Sequence, residues 1–103
     1  MPTGLEGIIN REFADVKVYP NPFSDNVTTE INLTKEADVQ VEVLNQLGQK
    51  INIVTTKQIL PAGLHRLIWD GRNSNAQKAA SGIYYLRIEI DDSILHKKII
   101  LSK

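Results

Sequence analysis

Short runs of β-branched and other apolar residues, separated by turn residues, recur along most of this chain. From Val16 onward they follow one another at a spacing of roughly 8 to 12 residues. Within residues 27–33, Val27, Thr29, Ile31 and Leu33 alternate with the polar residues Thr28, Glu30 and Asn32. This is the period of two that a half-buried strand shows. The β-branched residues also disfavour a helix. The pattern predicts an all-β fold, an antiparallel β-sandwich of about seven strands.

Residues that break or bend a strand separate the predicted strands. Pro20 and Pro22 end the first one, because proline lacks an N–H and has a fixed φ. Gly48 and the Asp91–Ser93 turn predict two hairpins, the second of which ends the chain. The run at 64–69 is apolar on both faces, which predicts a strand near the centre of the sandwich. The predicted strands cover residues 16–19, 27–33, 39–44, 50–56, 64–69, 84–90 and 94–101.

The length of 103 residues suits one domain with one modest core. Residues 1–15 show no sustained period and predict a linker and processing segment, so the domain is expected to cover residues 16–103. Met1 is expected to be an artificial start, with any signal peptide of an exported parent lying upstream.

The charge balance excludes several classes of partner. Twelve basic and twelve acidic residues cancel, so no long-range field attracts nucleic acid or an anionic membrane. The apolar runs are far shorter than a bilayer-spanning helix requires. The absence of cysteine rules out disulfides, thiolate metal sites and a cysteine nucleophile.

No catalytic or metal-binding constellation emerges from the residue types. His65 and His96 are the only imidazoles, and they lie on separate strands, so we expect no enzyme activity. His65 is expected on the sheet surface beside Arg66. Residues 70–75 resemble half of a calcium loop, but no carboxylate follows in 76–82, and turn formation explains the same residues. We therefore expect no cofactor.

Aromatic residues and lysines mark the last third of the chain. Trp69 and Tyr84 are expected in the core and Tyr85 on the wetter face, although exposed aromatic rings in this region would form a platform for a sugar. Lys97 and Lys98 must point to opposite faces of one strand. They either protect a sheet edge from pairing or belong to a recognised tail.

A series of short motifs, taken in order, resembles one protein family. The motifs lie at residues 18–23, 41–48, 61–65, 69–71, 81–85 and 97–101. Each motif alone is weak, and the specificity lies in their order and spacing. Together they resemble the type A C-terminal sorting domain of the type IX secretion system of Bacteroidetes, also known as the Por secretion system, over about residues 16–103.

This resemblance implies an immunoglobulin-like sandwich that directs a secreted cargo protein through the outer membrane and is then cleaved off. The implied partners are the outer-membrane type IX translocon with its shuttle components, a surface sortase-like peptidase, and the N-terminal cargo domain. The implied location is the periplasm in transit, then the cell surface or the medium. Cleavage would fall within residues 4–15.

Carried over residue by residue, the family pattern assigns a sorting motif to the terminal hairpin. Its members are Gly82, Tyr84, Lys98, Ile99, Ile100, Leu101, Ser102 and Lys103. An unpaired edge along residues 94–101 would also allow a strand-mediated homodimer. Two alternative functions remain open: a structural assembly module like the immunoglobulin-like domain of flagellar hook-capping scaffold proteins, and a carbohydrate-binding module.

Overall fold

Seven β-strands make up the regular structure of residues 14–103, the part of the chain that the computed structural model describes. All of the predicted strands are present, which confirms the all-β prediction. The predicted linker and processing segment lies outside the described residues except for Ala14 and Asp15, which belong to the first strand. The strands are β1 (Ala14–Tyr19), β2 (Val27–Leu33), β3 (Ala37–Leu44), β4 (Lys50–Leu60), β5 (Gly63–Trp69), β6 (Gly82–Ile90) and β7 (Ser93–Leu101).

Two antiparallel sheets form an immunoglobulin-like sandwich. The smaller sheet has the order β1-β2-β5 and the larger the order β4-β3-β6-β7. The predicted hairpins β3–β4 and β6–β7 are both confirmed. Between β4 and β5 the chain changes sheet at Pro61 and Ala62, which suits a residue that cannot donate to a ladder.

The core lies between the sheets and is built from alternate residues of each strand. Burial of one aliphatic side chain in this core contributes about 1.5–3 kcal/mol to the free energy of unfolding, before conformational entropy is subtracted. Three aromatic rings close one end of the core, with ring centroids 5.7 Å apart for Phe23 and Trp69 and 5.5 Å apart for Trp69 and Tyr84. The buried residues of β2 and β3 include Val27, Thr29, Ile31, Leu33, Val39, Val41 and Val43.

Two expectations about β5 are wrong. The strand lies at the edge of the smaller sheet, and Leu64 and Ile68 are 48% and 58% exposed. His65 pairs with Ile31, so it is directed toward the inner side of the sheet, whereas Arg66 pairs with Glu30 on the outer side. The sequence of a strand with apolar residues on both faces does not reveal whether it pairs with one neighbouring strand or two. Its apolar residues report the burial of its faces, not the pairing of its edges.

A tyrosine, a glutamate and an arginine interact on the outer face of the smaller sheet. The Tyr19 hydroxyl donates to Glu30 Oε1 at 2.6 Å, and Arg66 Nε donates to the same oxygen at 3.2 Å. The hydrogen bond from Tyr19, supported by Arg66 and opposed by desolvation, holds the pKa of Glu30 below its ordinary value.

Removal of the Tyr19 hydroxyl should raise the pKa of Glu30. A group whose pKa is lowered by folding stabilises the protein above its unfolded-state pKa, and this contribution is lost as the pH falls through the folded-state value. We therefore expect Tyr19→Phe to move the carboxyl titration upward and to weaken the acid dependence of stability. NMR titration of Glu30 measures the shift, with Tyr85→Phe on the other sheet as the control. An unchanged Glu30 titration in Tyr19→Phe would contradict this assignment.

Candidate recognition surface on the terminal hairpin

The β6–β7 hairpin brings the proposed sorting residues together at one end of the larger sheet. Antiparallel pairing sets Gly82 opposite Leu101 and Tyr84 opposite Ile99. The pairs Ile83–Ile100 and Tyr85–Lys98 alternate with them along the ladder. Because successive residues of a strand face opposite sides, the motif is divided into an inward set and an outward set.

The inward set belongs to the core. Ile99 and Leu101 are 0% and 1% exposed, and Tyr84 is 8% exposed. The Tyr84 hydroxyl donates to the Ala80 carbonyl at 2.6 Å, which satisfies its one polar group. These three residues therefore hold the hairpin in place and offer little surface to a partner.

The outward set presents a cation beside apolar side chains. Lys98 is exposed next to Tyr85, and the half-buried Ile100 lies next to Ile83 on the same face. No ion pair involves Lys98 within residues 14–103. Lys97 pairs with buried Leu86, which confirms that at most one of the two lysines faces the core side. Sequence reasoning missed Ile83 and Tyr85 as neighbours because only the hairpin register places them there.

The final residue is attached to the loop before β6. Lys103 N donates to Ser81 Oγ at 3.3 Å, and Lys103 Nζ donates to the Ala79 carbonyl at 2.7 Å. A cleft of about 550 Å³ opens beside it, with carboxylates and cations in its wall. The residues lining this cleft are Ser24, Asp25, Asn26, Asp70, Gly71, Arg72, Lys78 and Lys103.

A segment far away in the sequence closes part of the outer edge of β7. Asn21 Nδ2 donates to the Lys98 carbonyl and Ile100 N donates to Asn21 Oδ1, both at 2.9 Å. Phe23 N donates to the Ile100 carbonyl at 2.9 Å, and Ser102 N donates to the Phe23 carbonyl at 2.8 Å. The edge expected to be unpaired over residues 94–101 is therefore closed from Lys98 onward. We call residues 21–23 the clasp.

The loop at residues 70–78 shows the features of a structured turn. Asn73 Oδ1 accepts from the Asn75 and Gln77 amides at 2.9 and 3.0 Å, and Asp70 Oδ1 accepts from Arg72 N at 3.1 Å. In the described part of the chain, no three His, Asp or Glu side chains lie close enough together to hold a metal ion. The hydrogen bonds within the loop are those of a structured turn, the other structure that the sequence indicated for residues 70–75.

The proposed aromatic platform for a sugar is not formed by the residues considered. Trp69 is 2% exposed and its Nε1 donates to the Arg72 carbonyl at 2.8 Å. Tyr84 is buried as well, which leaves only Tyr85 partly accessible. The expectation that Trp69 and Tyr84 belong to the core is thus confirmed, and the carbohydrate-binding alternative loses its structural basis.

Comparison with known proteins relates most of the chain to one family and to two solved structures. The family model described as the FlgD Ig-like domain matches residues 21–93. A search of curated proteins finds no match. Within residues 14–103, no helix is long and apolar enough to cross a membrane.

Two structures from Porphyromonas gingivalis contain a similar fold. Dimeric latent PorU matches with a TM-score of 0.70 and 22% identity over 85% of this chain. PorZ, an essential bacterial surface component of the type IX secretion system, matches with a TM-score of 0.58 and 21% identity, also over 85% of this chain. This chain spans only 9% of that PorU chain and 11% of that PorZ chain. At these identities the likeness concerns the fold.

Proposed function

The chain belongs to the FlgD Ig-like domain family, and we propose that with this fold it serves as a non-catalytic recognition domain, a type A C-terminal sorting domain of type IX secretion. In this function the domain is the substrate of an export machine rather than an enzyme. Its immunoglobulin-like fold also occurs within PorZ, a surface component of that system.

The observation that carries the proposal is that buried and exposed residues alternate at the end of β7. Ile99 and Leu101 are fully buried, while Lys98, Ser102 and Lys103 are exposed. The buried residues hold the strand in one conformation, so a partner that reads the exposed residues need not order them first. Such preorganisation reduces the entropic cost of binding.

The proposed partners follow from the same function. The translocon and its shuttle components would bind the terminal hairpin, and the cargo would be attached on the N-terminal side. A surface sortase-like peptidase would cut in the part of residues 4–15 that precedes β1. The protein would pass through the periplasm to the cell surface or the medium. A homodimer that pairs through β7 would use residues 94–97, the stretch of this strand that the clasp leaves open.

A structural assembly module is the alternative that the family match favours. The family model matches residues 21–93 and ends before most of β7. It includes Gly82 and Tyr84 of the sorting motif but not residues 98–103. An assembly module would need its sandwich but not the outward side chains of its last strand. The two functions therefore differ in whether Lys98 and Ile100 are required.

Changing the outward side chains of β7 tests the export function. Residues 14–103, which include the whole of β1, are fused behind a periplasmic reporter in a host with type IX secretion. We expect the Lys98→Glu, Ile100→Thr double variant to lower surface reporter by about tenfold or more, as loss of a binding hot spot does. Surface labelling and protease accessibility of intact cells measure the change.

A matched control is available on the other outer strand of the same sheet. Lys57 and Ile59 on β4 have the same spacing and are both exposed. The Lys57→Glu, Ile59→Thr variant should be exported like the unmodified fusion. Retention of the unmodified fusion in the periplasm would refute the export function, and equal export of both variants would favour the assembly module.

A further inference from the structure

The clasp forms hydrogen bonds in the pattern of a short parallel strand. In a parallel ladder, one residue bonds to the carbonyl before and the amide after the residue opposite it. Asn21 makes these two bonds around Ile99 with its side-chain amide, and Phe23 makes them around Leu101 with its backbone. The asparagine side chain thus substitutes for one peptide group of a neighbouring strand.

Asparagine is well suited to this position because its carboxamide carries a donor and an acceptor side by side, as a peptide group does. Proline at position 22 has no N–H, so the backbone between the two bonding residues offers no competing donor. Phe23 is 3% exposed and packs on Trp69, which anchors the other end of the clasp in the core.

The clasp leaves β7 with two different halves. From Lys98 to Ser102, the clasp forms hydrogen bonds with the carbonyls of Lys98 and Ile100 and with the amides of Ile100 and Ser102. Along residues 94–97, no hydrogen bond joins the outward backbone groups to another described residue. A strand from a partner can therefore be added beside residues 94–97, but it must displace the clasp to pair with the terminal residues.

From this geometry we propose that Asn21 is a positioning residue of the sorting signal. It keeps the edge of the terminal strand closed, so that the partner reads the strand by its outward side chains and chain end rather than by strand addition. This inference rests on the proposed export function for its partner. The closed edge itself is a property of the isolated domain and can be measured without that partner.

Hydrogen exchange of the Ile100 amide tests the closed edge in the full 103-residue chain. This amide faces the outside of the sheet, and it should nonetheless be protected because it donates to Asn21 Oδ1. We expect Asn21→Ala to lower its protection by about tenfold relative to the Val41 amide in the central β3 strand. Asn75→Ala is the matched control, since the Asn75 side chain is exposed and makes no hydrogen bond to a described residue.

The Asn21→Asp variant adds a pH-dependent readout that a general loss of stability would not produce. Its carboxylate at pH 7 can still accept from the Ile100 amide, but it has no donor for the Lys98 carbonyl and repels that oxygen, so we expect a smaller loss of protection than in Asn21→Ala. Below about pH 4 the carboxyl group becomes neutral and regains a donor and an acceptor, so protection of Ile100 relative to Val41 should recover. Unchanged Ile100 protection in both variants at pH 7 would overturn the clasp.

Export of the same variants tests the positioning role. In the reporter fusion we expect Asn21→Ala to lower surface reporter by about tenfold. Ile31→Val should be exported normally, since it weakens the core on β2 without touching the clasp. If Asn21→Ala loses Ile100 protection and is still fully exported, the positioning role is wrong. If even the unmodified fusion is retained, the export function fails, whereas the exchange result still decides whether the edge is closed.

Discussion

Deletion of residues 99–103 is expected to unfold the domain. The deletion removes Ile99 and Leu101, which are 0% and 1% exposed, and it removes the last three pairs of the β6–β7 ladder. Loss of one buried aliphatic side chain costs about 2–5 kcal/mol, so loss of two approaches the whole stability of a domain of this size. We expect loss of the cooperative thermal transition and of the strand signal in circular dichroism.

The deletion of residues 99–103 therefore does not test the sorting role of these residues. A protein that fails to fold also fails to be exported, whatever the role of its last residues. Deletion of Ser102 and Lys103 alone is the suitable comparison, since both residues are exposed and the buried pair is kept. A cooperative transition that survives the longer deletion would show that β7 contributes less to the core than its burial indicates.

Trp69→Ala is expected to lower the free energy of unfolding by about 3–5 kcal/mol. The indole is 2% exposed, lies between Phe23 and Tyr84, and donates to the Arg72 carbonyl at 2.8 Å. Alanine would leave a cavity between two aromatic rings, and the Arg72 carbonyl would keep only its hydrogen bond from Asn52 Nδ2. Urea denaturation followed by circular dichroism measures the change.

The control for this variant is a large apolar side chain outside the core. Leu47 is 83% exposed at the turn between β3 and β4, so Leu47→Ala should change stability by less than about 0.5 kcal/mol. A loss below about 1 kcal/mol for Trp69→Ala would contradict the assignment of the indole to the core.

Local patterns predicted the strands because alternation is a property of neighbouring residues. The period of two in residues 27–33 and the β-branched residues of β3 identify which side chains are buried, and the structure confirms both. Glu42 is an exception to the alternation in β3, since it lies between the buried Val41 and Val43 and is itself only 8% exposed. Its carboxylate lies 3.1 Å from Lys50 Nζ and 3.6 Å from Arg87 Nη1, contacts that depend on two other strands.

The candidate site was predictable only in part, because contacts between strands do not follow from local alternation. The motif at the chain end identified the residues of the terminal hairpin, and alternation indicated that Lys97 and Lys98 face opposite sides. Which members are exposed, and that Ile83 and Tyr85 lie beside them, depends on the register of β6 against β7. Register is set by packing across the whole sheet.

The sequence by itself therefore determined the class of fold, the strands and most of the core, because these depend on composition and on periods of a few residues. Only the tertiary structure decided that β5 lies at an edge and that the end of β7 is closed. Asn21 and Ile100 are 79 residues apart in the chain, and no local period relates them. Their contact exists because folding of the two sheets brings the first turn of the domain against its last strand.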